Sequence, residues 1–397
     1  MPQPTSPEVV FGISGSISAY KSVDIIRLLR TQNIVSRPLF SESAHRFVTP
    51  WTVETLAEYP LINEDIKCGK ITHLDVCRGA ALFVICPASA NCIAKLAQGL
   101  ATDLISTSFL SFRGPRVLFP AMHTEMWEHP VTQKNIQTLK SLGVIIVDPD
   151  QGALACGDSG KGRLPEPELI ANIIQYLVNH PCLDLSDQKV VVTCGGTTEP
   201  IDPVRVITNT ASGISGHIIA NIAALFGAEV TLIRTKSHPT LATINTINVG
   251  SANEMADALH PFTRNCDCLI MNAAVSDFTI SQPESKKQAR QSSLNLNLTP
   301  TPDLLKTFNL AKAKACYSIG FCLSDRKDII DFAEQKRVDK GCELIIANHV
   351  DSFGQSTRTV HFICKEDVKT FQAISLLELA YHLLWKFKKF YETATNG

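Results

Sequence analysis

The chain has 397 residues, 45% of them hydrophobic and 19% charged, with 37 Lys and Arg set against 38 Asp and Glu. That length predicts two domains, each large enough to bury a core, and the composition excludes bulk disorder. A net charge near zero offers no general attraction to phosphate backbones or anionic lipid, so nucleic acid and membrane are both excluded as expected partners.

Thirteen cysteines, an odd number without repeated spacing, and an opening MPQPTSPE with neither a basic start nor an apolar stretch read as reduced thiols of a soluble, cytoplasmic protein. No apolar run approaches the roughly eighteen residues of a membrane-spanning helix. From Val9 onward a strand, a Gly/Ser-rich turn and a helix-period segment recur, the pattern of parallel α/β layers. Strands are expected at 9–14, 81–86, 117–120, 144–147, 189–193, 229–233, 268–272 and 343–347, and helices at 20–30, 90–99 and 215–226. The stretch HPCLDLSDQ at 180–188 interrupts a helix and KVVVTCGGT then restarts the pattern, which places a boundary between domains 1–183 and 184–397. The polar stretch 281–293 reads as a mobile loop.

In VVFGISGSISAYKSVDIIRLL a buried strand ends in Gly12, Gly15 and Ser16 and a helix follows, so free N–H groups and the positive helix end can hold a phosphate. A tight turn that only permits close packing explains the same glycines. A second strand, ALFVIC, runs into PASANCIAKLAQGL, where Pro87, Ser89 and Asn91 occupy helix-entry positions. Two polar strand ends at one sheet edge mark a cofactor cleft, against the alternative of ordinary helix capping. His73, His123 and His129 lack the spacing of a metal site.

Together with ITHLDV, PAMHTEMWEHP and ACGDSGKGRL, these segments resemble the homo-oligomeric flavin-containing cysteine decarboxylases, and specifically the phosphopantothenoylcysteine decarboxylase domain, over about residues 8–180. The resemblance implies a flavodoxin-like fold and FMN held by Gly15, Ser16, Ser41, Ser89 and Ser106. It gives His73 the proton transfer that accompanies oxidation of the substrate thiol, and gives Cys156 protonation of the ene-thiolate left after decarboxylation. Where the family carries an asparagine that grips the substrate carboxylate, this chain has His123, which can donate a hydrogen bond to the same group. Tighter ground-state binding of that carboxylate could slow its loss.

The second half opens KVVVTCGGTTEPIDPVRVITNTASGISGH, Rossmann-like but without GxGxxG, and the insert between glycines and helix favours a mononucleotide site over a dinucleotide one. With NAAVSDF, a lysine-containing loop, IGF and QKRVDKGCELIIAN it resembles phosphopantothenate–cysteine ligase over about 188–367. The resemblance assigns Asn209 and Arg205 to phosphopantothenate and its acyl-nucleotide intermediate. It assigns Ala273, Asp277 and Phe321 to the nucleotide, and Lys286 or Lys287 in a shortened loop to the triphosphate of CTP. Lys336 and Lys340 are further cations for that triphosphate, with Mg2+ sharing the charge, and a solvated polar face is their alternative reading. The family's SSGK lysine is replaced by Ile214. The whole is expected to be two Rossmann-like three-layer α/β domains, with trimer contacts for the first and dimer contacts for the second.

Four alternatives stand beside this reading. The flavoprotein half could be an impaired enzyme serving as a scaffold or regulatory module, or the second half could bind NADPH as part of an oxidoreductase. The Cys266-x-Cys268 pair could hold metal rather than pack in a core. The C-terminal LLELAYHLLWKFKKFYE is amphipathic and reads either as a docked final helix or as a membrane-surface element.

Overall fold

Glu8–Ile13 (β1) is apolar on both faces, with Val9, Val10 and Phe11 fully buried, so it can only lie inside a sheet covered on both sides. The computed structural model, which describes residues 6–57, 59, 60, 66, 67, 70–155, 157–180, 183–287, 295–352, 355 and 357–395, supplies that sheet. Its strands are β1, Val35–Phe40 (β2), Leu82–Ala88 (β3), Arg116–Pro120 (β4) and Ile145–Ile146 (β5). They run parallel in the order β2-β1-β3-β4-β5. The order reverses between β1 and β3, which leaves a crevice at their carboxyl ends. Helices Lys21–Thr31 and Pro167–Asn179 pack together, as do Ala90–Ala97 and Pro130–Ser141. An antiparallel hairpin, Asp150–Ala153 (β6) with Ser159–Arg163 (β7), stands apart from the sheet.

The chain divides at Cys182 and Leu183. The second unit is built on Lys189–Cys194 (β8), Glu229–Arg234 (β9), Asn245–Asn248 (β10), Cys268–Met271 (β11), Tyr317–Ser324 (β12), Leu344–His349 (β13), Thr357–Cys364 (β14) and Val368–Ser375 (β15). Their order is β10-β9-β8-β11-β12-β13-β14-β15. The first six are parallel and the last two form an antiparallel extension. The six parallel strands repeat the doubly wound order, whose switch point lies between β8 and β11.

Both units are the α/β layers predicted, and each expected strand and helix is present within a few residues. Five strands of the two main sheets escaped the pattern. β2 carries Arg37 and Pro38, tolerable only because an edge strand is hydrogen-bonded on one side. β10 is short and polar, β12 is interrupted by Gly320, and β14 alternates polar with apolar residues beside its equally polar partner β15. The C-terminal helix Leu376–Thr395 docks on Ile214–Leu225 and buries Leu379, Ala380, Leu383, Leu384 and Phe387, a stripe at helical spacing. No described helix is long and apolar enough to cross a membrane. Cys266 and Cys268 are buried in the core, where the Cys266 and Cys316 sulfurs lie 3.4 Å apart.

Gly216 shows how closely the helix Ile214–Leu225 approaches β8. A Cβ there would collide with Cys194 and stand 3.1 Å from Asn272 Oδ1. Gly216→Ala is expected to destabilise the second unit by about 1–3 kcal/mol through overpacking. Urea unfolding followed by circular dichroism measures it, with a midpoint shift confined to that unit's transition.

Candidate functional site

The crevice of the first unit is set by Ser14, which is 1% exposed. Its hydroxyl donates to Pro87 O at 2.8 Å and accepts from the Ser89 N–H at 2.7 Å, tying the end of β1 to the end of β3. Gly15 follows, where a Cβ would collide with Ser43, so only glycine lets the loop pass. Ser16 then caps the short turn Ile17–Tyr20 and donates to Ala121 O at 3.3 Å. Ser89 caps Ala90–Ala97, accepting from the Cys92 N–H at 3.3 Å. Between these ends lies a cavity of about 630 Å³, lined by Gly15, Ser16, Lys21, Ser89, Met122, His123, Arg163 and neighbours.

The hairpin roofs this cavity through Ala153, Leu154, Gly162 and Arg163. Its glycines are steric requirements: a Cβ at Gly160 would strike Thr124, and one at Gly162 would strike the Met122 carbonyl. The Met122 N–H donates to Gly162 O at 3.1 Å. His123 caps Thr124–Glu128, its Nδ1 accepting from the Glu125 N–H at 3.4 Å, while its Nε2 lies 3.1 Å from Asp158 Oδ2.

Four of the sequence-assigned residues, Gly15, Ser16, Ser89 and His123, therefore converge. Ser41 precedes the turn Glu42–Arg46 beyond β2, with its hydroxyl 3.2 Å from Ser43 Oγ, and Ser106 spends its hydroxyl in a capping box with Asp103; neither lines the cavity. His73 sits on Thr72–Cys77, its carbonyl accepting from Ser111 Oγ at 3.5 Å, also off the cavity. Cys156 lies outside the described residues.

The second crevice repeats the device. Thr193 Oγ1 accepts from the Ala273 N–H at 3.2 Å, Thr197 Oγ1 accepts from the Ser276 N–H at 2.9 Å, and Gly196 bridges Ala274. Asn209 Nδ2 donates to Ala274 O at 3.0 Å and Val275 O at 3.3 Å. A cavity of about 560 Å³ opens here, lined by Asn209, Ala273, Asp277, Phe321, Lys336 and Lys340 among others. Lys340 reaches Asp303 Oδ1 at 3.4 Å across its wall. Arg205 does not line it, because its guanidinium donates to the buried Asp202 at 2.8 Å. Lys286 and Lys287 are exposed on the loop and do not line it either, and residues 288–293 lie outside the described set. Ile214 is exposed, and two side chains from the turn after β9 reach the same loop. There Lys236 Nζ donates to Ala211 O at 2.9 Å and His238 Nε2 donates to Ser212 O at 2.7 Å.

Residues 3–179 match the family model "Flavoprotein", and residues 185–390 match "DNA/pantothenate metabolism flavoprotein C-terminal domain". The chain is 37% identical over 361 residues to the coenzyme A biosynthesis bifunctional protein CoaBC of Mycobacterium bovis, covering 86% of each chain. It is 34% identical over 376 residues to that of Escherichia coli K12, covering 91% of this chain and 92% of the other. The chain belongs to the CoaBC family of bifunctional coenzyme A biosynthesis proteins. A solved C-terminal domain of a CoaBC protein is also similar, at 28% identity and a TM-score of 0.46, covering 52% of this chain and 97% of that one.

Within this CoaBC-family chain, sequence reasoning missed the charged group behind the first cavity. Lys21, the first residue of its helix, lines the cavity with a buried ammonium that makes no hydrogen bond and lies 3.6 Å from Glu166. Its only signal is its place one turn after the glycine loop. Asp150 completes the group. Burial pushes its carboxyl up to about 6, Arg163 opposes the rise, Glu166 adds to it and Lys21 opposes it.

A carboxyl whose folded pKa is raised binds its proton more tightly when folded, so stability falls as pH rises from about 4 through about 6. Asp150→Asn is expected to raise the thermal midpoint of the first unit at pH 7.5, with the gain vanishing below about pH 4. Differential scanning fluorimetry across that range reads both ends.

Proposed function

We propose that the chain catalyses two consecutive steps. The second unit joins 4'-phosphopantothenate to cysteine at the expense of CTP, and the first decarboxylates the resulting 4'-phosphopantothenoylcysteine to 4'-phosphopantetheine with FMN. The observation that carries this reading is that Gly15, Ser16, Ser89 and His123 meet at one crevice where strand order reverses, and Asn209, Ala273, Asp277, Phe321, Lys336 and Lys340 at the other, the place where open α/β sheets bind ligands.

The first cavity fits a flavin phosphate cofactor. Gly15 lets backbone approach the ligand, Ser16 and Ser89 border it with hydroxyls, and the unbonded Lys21 ammonium supplies a buried positive charge for an anion. Bound FMN would take up two electrons from the substrate's thiol, which makes the neighbouring carboxylate a leaving group, and would return them to the ene-thiolate, so the overall decarboxylation is redox-neutral. Around it, His123 donates to that carboxylate and the hairpin excludes water. Cys156 returns a proton to the ene-thiolate. His73 lies off the cavity within one chain, in keeping with flavin sites shared between subunits of a trimer.

In the second unit a carboxylate must be activated before an amine can attack it. Asn209 stands at the mouth of the Rossmann loop, where it would hold the phosphopantothenate carboxylate as the acyl-cytidylate forms. Asp277, with the Ala273–Ala274 backbone, would read the base, and Phe321 would pack against the nucleoside. Lys336 and Lys340, with Mg2+, would neutralise the departing pyrophosphate. Arg205, held by Asp202, would act on the acid from outside the cavity wall, and Lys286 or Lys287 by loop closure. Dimer contacts are expected for this unit.

One observation keeps a second reading in view: His123 in place of the family's asparagine favours a ligase whose flavoprotein half serves as a binding module. Incubation with phosphopantothenate, cysteine, CTP and Mg2+, with products identified by mass, separates the two. Phosphopantetheine supports the full reading, accumulated phosphopantothenoylcysteine supports the second, and absence of pyrophosphate release rejects the ligase. Within that assay Lys336→Met and Lys340→Met are each expected to raise KM for CTP about tenfold through a lost charge-assisted contact, leaving KM for cysteine unchanged.

A further inference from the structure

His123 is fixed from one side. Its Nδ1 accepts the Glu125 N–H at the start of the helix Thr124–Glu128, so the neutral ring carries its proton on Nε2 and donates only from there. That single donor is already engaged, at 3.1 Å, by Asp158 Oδ2. An amide at this position has two N–H donors and can serve two acceptors at once, whereas the imidazole Nε2–H serves one. His123 lines the cavity; Asp158 does not, and its side chain is 70% exposed against 34% for His123.

We propose that Asp158 stands in for the substrate carboxylate: it engages the Nε2 proton of His123 until an entering acid takes its place. The inference rests on reading the first unit as a decarboxylase of a carboxylate-bearing amide. Three features support exchange over joint binding. Two carboxylates on one imidazole Nε2 would repel each other. The Asp158 carboxylate is exposed to water rather than set in a dry pocket, so loss of the His123 contact costs little. His123 keeps an anionic acceptor in both states, so its tautomer and orientation do not change when the ligand binds.

The exchange also has a mechanical side. Asp158 closes the turn at the tip of the hairpin, where the Leu154 N–H donates to Asp158 O at 2.8 Å and the Gly157 N–H donates to Leu154 O at 3.0 Å. The hairpin body is held separately, by Met122 on Gly162 and by the close fit of Gly160 against Thr124. Loss of the Asp158–His123 contact therefore leaves the roof in place. Asp158 is a positioning residue, acting on the substrate through His123.

The test titrates the flavin-loaded protein calorimetrically with two probes, the phosphopantothenoyl amide of serine and that of ethanolamine. They differ only by the carboxylate, and neither has a thiol to react. Asp158→Asn replaces a charged competitor with a neutral one, and is expected to tighten the serine amide about three- to tenfold while changing the ethanolamine amide less than twofold. Asp158→Ser, at so exposed a position, gives the same selective gain, and adding His123→Ala to either variant abolishes it. An equal change for both probes, or a weaker serine amide, overturns the proposal. A wild-type protein that binds neither probe rejects the decarboxylase reading itself, and one that binds both with a ratio insensitive to Asp158 rejects only the exchange.

Discussion

Each half of this chain depends on a hydroxyl that spans a reversal of strand order. At a switch point, adjacent strands send their following helices to opposite faces, so their carboxyl ends separate and nothing in the sheet ladder fixes the gap. In the first unit Ser14 fixes it, donating to Pro87 O and accepting from Ser89 N–H. In the second, Thr193 and Thr197 accept from Ala273 and Ser276 N–H groups. A neutral hydroxyl suits the task because it donates and accepts at once and so leaves no buried partner unsatisfied. Gly15, Ser16 and Ser89 on one side, and Asn209, Ala273 and Asp277 on the other, take their positions from these links.

The parts of the fold legible in sequence were those whose signal is local. Fully buried strands such as β1, β3, β8 and β11 are runs of apolar residues ending in glycine or a small polar residue, because burial on both faces leaves no room for alternation. β2, β10, β14 and β15 were illegible for the opposite reason. They lie toward the sheet edges, where polar residues and even Pro38 are tolerated, so their composition does not distinguish them from loops. The strand order is also absent from local pattern. It is fixed by which apolar faces pair across long separations, and only the completed sheet displays the two switch points.

The sites divide along a similar line. Residues on the two crevice loops do line the cavities, because the loop motifs that drew attention in sequence lie at the strand ends that border them. Ser106 and Arg205 carry polar groups in the right motifs, but a side chain has a limited number of hydrogen bonds to make. The Ser106 hydroxyl satisfies the helix start at Asp103, and the Arg205 guanidinium satisfies the buried Asp202 carboxylate. Lys21 was missed for the converse reason. A lysine opening a helix reads as a solvated charge, and only the tertiary structure buries its ammonium beside Glu166 and against the cavity.

The four lysines assigned to the triphosphate differ in what it costs to use them. Lys336 and Lys340 project from the helix Ile329–Lys340, whose backbone is already ordered, so only side-chain freedom is lost when they meet an anion. Lys286 and Lys287 stand exposed on a loop, and bringing either to the same anion orders backbone as well, at about 1–2 kcal/mol per residue. Part of any contact they make is therefore spent on closure, which ties their contribution to the presence of the full triphosphate. On the proposed reading, the helix pair would provide affinity in the open cavity, and the loop pair would add charge only once the nucleotide is seated. With Ile214 contributing no charge, that division would place the burden of first capture on Lys336 and Lys340, which line the cavity.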